Sequence, residues 1–97
     1  MEYQDAAARL KAHEAELKQL GVEHLYLFGS TVRGKARADS DVDLFFDHPL
    51  GSLGLYELMD LKDAATRILG CDADIMTRRS LHPALRGRIE ASARRVV

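Results

Sequence analysis

The sequence predicts a small α/β (α+β) domain, a mixed β-sheet with helices packed against it, in the order α-β-α-β-α-β-α. Three observations carry that prediction. Short, largely apolar runs at residues 24–28, 41–46 and 72–77 have the length and composition of strands. Between and around them lie longer segments whose apolar residues recur at helical spacing. Gly21 and Gly70 stand where two of those segments stop, at the position where a left-handed residue ends a helix.

The 97 residues suffice for one domain, read as spanning 1–97, with a modest core and marginal stability on its own. Apolar residues make up 46% and charged residues 30%, the balance of a soluble globular chain and not of a disordered one. No apolar run approaches the roughly 20 residues needed to span a bilayer. The N-terminus lacks a basic segment followed by an apolar run, so no signal peptide is expected. The single Cys71 cannot form an internal disulfide; it fits a reducing cytoplasm and reads as a small buried hydrophobe. The net charge of −1 hides an uneven distribution. Residues 39–74 hold nine acids against Lys62 and Arg67, while residues 78–97 hold six arginines against Glu90. An acidic middle and a basic end point to different partners for two faces.

Residues 2–20 read as an amphipathic helix, with Tyr3, Ala6, Ala7, Leu10, Leu17 and Leu20 on one stripe and Glu14–Lys18 as a favourable i,i+4 pair. His13 and His24 have no metal-ligand companion and read as surface or structural residues. His24 to Phe28 is a buried strand flanked by glycines. Ser30 to Ala38 starts as a short helix, its first-turn amides aimed toward Gly29. Asp41 to Phe46 is the second strand, with Val42, Leu44 and Phe46 on one side and Asp41, Asp43 and Phe45 on the other. The segment from His48 to Ser52 is turn chemistry, with Pro49 barring a central strand. Leu55, Leu58, Leu61, Ala65, Ile68 and Leu69 mark a second long helix. In the third strand Asp72, Asp74 and Met76 share one face, Ala73 and Ile75 the other. Ser80 to Arg95 reads as a last helix with Pro83 in its first turn and Leu81, Leu85 and Ile89 as its stripe.

Residues 27–46 concentrate the chemistry. An apolar run breaks at Gly29-Ser30, passes a loop carrying Arg33, Lys35 and Arg37, and re-enters an apolar run carrying Asp41 and Asp43. A glycine permits close backbone approach, and a hydroxyl with nearby amides can donate to phosphate oxygens. Two carboxylates at i and i+2 of a strand point the same way and lie about 6.5–7 Å apart along the backbone, so they can share one ion or bridge two. Hard oxygen ligands with open positions suit Mg²⁺ accompanied by substrate phosphates. Two unpaired carboxylates within a core-like segment are costly, and a bound cation offsets that cost.

Gly29-Ser30, Arg33-Gly34 and Ser40-Asp41-Val42-Asp43-Leu44, at these spacings, resemble the signature of the DNA polymerase β-type nucleotidyltransferase superfamily. More narrowly the chain resembles the minimal nucleotidyltransferases, the antitoxins of HEPN–MNT toxin–antitoxin modules. The resemblance covers nearly the whole chain, including the leading helix and the strand Asp72-Ala73-Asp74-Ile75-Met76. It implies a polymerase β-like fold and a third catalytic carboxylate on that late strand. Spacing leaves Asp72 and Asp74 both open; the family pattern, an acid flanked by small or aliphatic residues, favours Asp74.

The resemblance further implies a Mg²⁺-dependent transfer of AMP from ATP to a hydroxyl, a tyrosine of a cognate HEPN ribonuclease toxin, which is thereby neutralised. Asp41, Asp43 and Asp74 are then the catalytic residues and hold two Mg²⁺ ions, while Gly29, Ser30 and Arg33 hold the phosphates. Two other readings stay open. One is an antitoxin that neutralises by occlusion, docking through Arg86, Arg88, Arg94 and Arg95; the other is a transferase with a small-molecule acceptor. Direct nucleic-acid binding is not expected, since aromatics are 6% of the chain and Trp is absent. A homo-oligomer is compatible with the sequence.

Overall fold

The computed structural model describes residues 1–34, 41–49 and 54–97. The chain begins with two helices, α1 (Tyr3–Ala12) and α2 (Glu14–Gln19), where the sequence predicts one. The break falls at His13, whose backbone leaves the helical region (φ −113°, ψ 24°) and whose Nδ1 lies 2.9 Å from the Arg9 carbonyl. Leu10 and Leu17 are fully buried on either side, while none of the six residues between them is buried, so the core has no purchase on the kink. Gly21, with φ 101°, turns the chain into β1 (His24–Phe28).

A 3₁₀ turn, Gly29–Thr31, follows β1 in place of the expected longer helix. The expected continuation through Lys35, Arg37 and Ala38, the Ser40 of the signature, and the turn residues Leu50 to Ser52 lie outside the described residues. Next come β2 (Val42–Asp47), α3 (Leu55–Leu69) and β3 (Ala73–Thr77). Gly70 closes α3 in the left-handed region (φ 73°), as its position predicts. A second 3₁₀ turn, Arg78–Ser80, leads to α4 (Pro83–Ser92). The last helix is shorter than expected because the chain leaves it at Ala93 to form β4 (Arg94–Arg95), which pairs with β1.

The four strands form one mixed sheet in the order β3-β2-β1-β4. β1 is antiparallel to β2 and β4, and β2 is parallel to β3. Helices α1, α2 and α3 cover one face. There Leu25, Leu27, Val42, Leu44, Phe46, Ala73 and Ile75 of the strands meet Leu10, Leu17, Leu61, Ala65, Ile68 and Leu69 of the helices. Burial of each of the larger side chains contributes about 1.5–3 kcal/mol. Arg9 donates to the Leu69 carbonyl (2.9 Å), and Arg67 pairs with Glu16, tying the helices together at their polar margin.

The opposite face is built differently. Tyr26 and Phe45 stack at 4.7 Å, Phe28 lies 5.6 Å from Phe45, and the Arg78 guanidinium sits over Tyr26 and Phe45 at 4.8 and 5.0 Å. Arg78 also donates to both carboxylate oxygens of Asp47 (2.7 and 3.0 Å) and to Glu90 of α4 (2.5 Å). The hydrogen bond to Asp47, then that to Glu90, hold its pKa above the ordinary arginine value against partial burial. Strand alternation assigns Asp43 and Asp74 to this same face. Among the described residues no helix is long and apolar enough to cross a membrane.

Candidate active site

The site grows from the strand register. β1 pairs Phe28 with Asp43, and β2 pairs Asp43 with Asp74. Asp43 and Asp74 are therefore direct neighbours across a parallel pair, both pointing away from the helical core. β1 ends at Phe28, and the chain turns at Gly29 immediately beside Asp43.

Gly29 adopts φ 75°, a region that L side chains rarely enter. A side chain there would also run into Asp43: an added Cβ collides with Oδ2 and comes within 3.3 Å of Cγ. Backbone and space thus impose glycine together. The absence of a side chain is what lets the Asp43 carboxylate lie against the turn. Arg33 and Val32 donate their amides to the Gly29 carbonyl, which holds the turn closed. Thr31 is 2% exposed and anchors the turn in the core, while Ser30 is half-buried and Arg33 exposed.

The fold holds the acids near one another against their mutual repulsion. Burial raises the Asp43 pKa first, the charge of Asp74 second and that of Asp41 third; Arg33 opposes them. One carboxyl thus registers both other acids and the cation that the signature supplies. Asp41, Asp72 and Asp74 also line a pocket of about 410 Å³ with Ala73 and Lys62. Asp72 precedes β3, where its carbonyl accepts the Val42 amide (3.0 Å) and joins the entrances of β2 and β3. Asp74, not Asp72, lies opposite Asp43 in the register.

These residues suit a divalent cation in one specific sense. Among the described residues no group of three His, Cys, Asp or Glu side chains is placed to hold a metal ion. Asp43 and Asp74, side by side across β2 and β3, are the pair that would hold such an ion, since Mg²⁺ takes one or two carboxylates and completes its shell with water and substrate phosphates. The room beside Gly29 that Asp43 fills is part of the same fit.

Sequence reasoning overlooked two residues of this region. Lys62 reaches the acidic pocket from α3, and only the packing of α3 against β3 reveals it. Thr31 is the one polar residue fully buried among those described, in the turn that opens the stretch read from the sequence as a short helix.

Comparison with known proteins gives the family and the fold. The profile of the nucleotidyltransferase domain family matches residues 10–96. The protein adenylyltransferase MntA of Thermococcus cleftensis is 37% identical over 73 residues, 74% of this chain and 73% of that protein. A solved structure described as a minimal nucleotidyltransferase superposes with a TM-score of 0.82 at 34% identity, covering 97% of this chain and 95% of the other. The MNT antitoxin–HEPN toxin complex of Shewanella oneidensis, with its toxin tri-AMPylated, shares the fold at a TM-score of 0.67 and 17% identity, over 94% and 71% of the chains. The chain belongs to the nucleotidyltransferase domain family and is one of its minimal nucleotidyltransferases.

Proposed function

We propose that the protein is an antitoxin that transfers AMP from ATP to a hydroxyl, a tyrosine, of a cognate HEPN ribonuclease toxin and so silences it. The observation that carries this reading is the placement of Asp43 beside Gly29 and opposite Asp74, with Asp41 and Arg33 acting on the same carboxyl. The relatives add the reaction class, since the Thermococcus cleftensis protein bears the name of a protein adenylyltransferase.

Asp41, Asp43 and Asp74 would hold Mg²⁺, which when bound offsets the triphosphate charge and acidifies the incoming hydroxyl. The chain's own residues do the rest. Gly29 lets phosphate approach the backbone, Ser30 donates to it, and Arg33 offsets its charge. The acceptor oxygen forms its bond to the α-phosphorus as the bond from that phosphorus to the β-phosphate bridging oxygen breaks. Pyrophosphate leaves, and Asp74 orients the hydroxyl and takes its proton. Holding donor and acceptor for in-line attack removes much of the barrier before any bond changes.

The test mixes the protein with the product of its neighbouring gene, labelled ATP and Mg²⁺. Label is expected on a tyrosine of that neighbour, and its absence counts against the reading. The double substitution Asp41→Asn with Asp43→Asn separates catalysis from occlusion. Lost neutralisation with retained binding supports transfer, whereas retained neutralisation supports occlusion.

A further inference from the structure

We propose that α4 and the turn before it form the docking surface for the acceptor protein, and that this surface recognises an acidic face with an apolar centre. The proposal rests on the reading of the chain as a transferase with a protein acceptor.

The first observation is a helix that buries nothing. Helices α1, α2 and α3 each place residues in the core, but none of the ten residues of α4 is buried. The expected stripe of Leu81, Leu85 and Ile89 is realised only at Leu81, which is 2% exposed and lies outside the helix, while Leu85 is 48% exposed. A helix of this length is marginal in water without a packed face. Polar tethers hold it instead: His82 caps the Ala84 amide (3.1 Å), Arg78 grips Glu90, and Arg86 donates to the Arg79 carbonyl (3.1 Å).

Charge decides the occupant. Glu90 is the one acid in residues 78–97, and Arg78 engages it. Arg79 and Arg88 are exposed and have no acidic partner among the described residues, and the buried Nε of Arg86 has no hydrogen-bond partner. Leu85 and Arg88, three residues apart, share one helix face. Leu85 is the one large exposed hydrophobic on α4 among the described residues, and arginines beside it suit a protein partner that brings carboxylates around a small apolar contact. A single-stranded nucleic acid would need aromatic faces for its bases, and the rings beside α4, Tyr26 and Phe45, are already covered by Arg78.

Position links the surface to the chemistry. α3 connects β2 to β3 across the core face; α4 runs back from β3 to β4, parallel strands at the sheet's two edges. A connection of the same right-handed sense in the reverse direction lies on the opposite face, and the Glu90–Arg78 contact above Phe45 agrees. Phe45 is two residues, about 6.5–7 Å of strand, from Asp43. An acceptor seated on α4 therefore stands on the sheet face that carries the carboxylates.

The test titrates the purified product of the neighbouring gene into the full chain by calorimetry, with label transfer measured separately. Arg88→Glu and Leu85→Asp are each expected to weaken binding about tenfold or more. Raising salt from about 50 to 200 mM is expected to weaken the parent's binding. This salt series needs no variant and keeps the proposal exposed even if a variant misfolds. Unchanged affinity in both folded variants, salt-insensitive binding, or no binding by the parent overturns the proposal. So does tight binding of a 20-nucleotide RNA that Arg88→Glu abolishes, which would assign the surface to nucleic acid. Binding without label transfer, by contrast, overturns the catalytic reading and leaves the docking surface standing.

Discussion

At Gly29 two constraints coincide, and they make separable predictions. The left-handed backbone makes alanine cost about 1–2 kcal/mol, which chemical denaturation of Gly29→Ala will measure. The Cβ also displaces the Asp43 carboxylate, so AMP transfer is expected to fall by more than about a hundredfold, well beyond what lost stability explains. An intact rate in a folded Gly29→Ala protein would remove Gly29 from the site. Asp43 supplies the pH dependence. Folding raises its pKa, by burial first and then through Asp74 and Asp41. The folded state thus binds this proton more tightly than the unfolded chain, and stability from this group is greatest below the unfolded pKa and falls as pH rises through the folded value. Without metal, Asp43→Asn is therefore expected to be more stable than the parent at neutral pH, with the two converging in acid. Urea midpoints measured in chelator across pH check both the sign and the convergence.

Among the elements, the Arg78 turn connects most. One guanidinium bonds β2 through Asp47 and α4 through Glu90 while covering rings from β1 and β2. Arg78→Ala leaves two part-buried carboxylates without their partner, and a loss of about 2–4 kcal/mol is expected in denaturant melts. A loss no larger than that of Arg79→Ala would show the hub to be surface decoration. How legible each element was in the sequence follows from what holds it. α3 was read at its observed limits because its periodic residues end at a glycine forced into the left-handed region. Val42, Leu44 and Phe46 alternated with Asp43 and Phe45 in the sequence as they do in β2. β4 was illegible: its pairing uses the backbones of Arg94 and Arg95, whose side chains resemble a solvated helix end. The kink at His13 was equally hidden, since no proline or glycine marks it. The donor turn and its acids were visible as a motif; spacing left Asp72 and Asp74 both open, the family pattern favoured Asp74, and the parallel register sets Asp74 opposite Asp43.

For the molecule as a whole, the donor turn with its carboxylates and helix α4 share one face of the sheet, opposite α1, α2 and α3. A chain of 97 residues with one modest core has little stability to spare, which makes it a sensitive reporter of its own ligands. Nucleotide at about one hundred times its Kd adds about 2.7 kcal/mol to the folded state. In a domain of this size each kcal/mol moves Tm by about 4–8 °C, so Mg·ATP is expected to raise Tm by about 10–20 °C. The size of the shift is less informative than its dependence on the acids. If Asp41, Asp43 and Asp74 bind nucleotide through a cation, ATP with chelator should give only a small shift. The metal also relieves the repulsion recorded in the raised Asp43 pKa, so Mg²⁺ alone should stabilise the parent slightly and Asp43→Asn not at all. Equal shifts from ATP with Mg²⁺ and ATP with chelator would separate the carboxylates from the nucleotide. The turn at Gly29 and the basic side chain of Arg33 would then be left as the whole of the phosphate site.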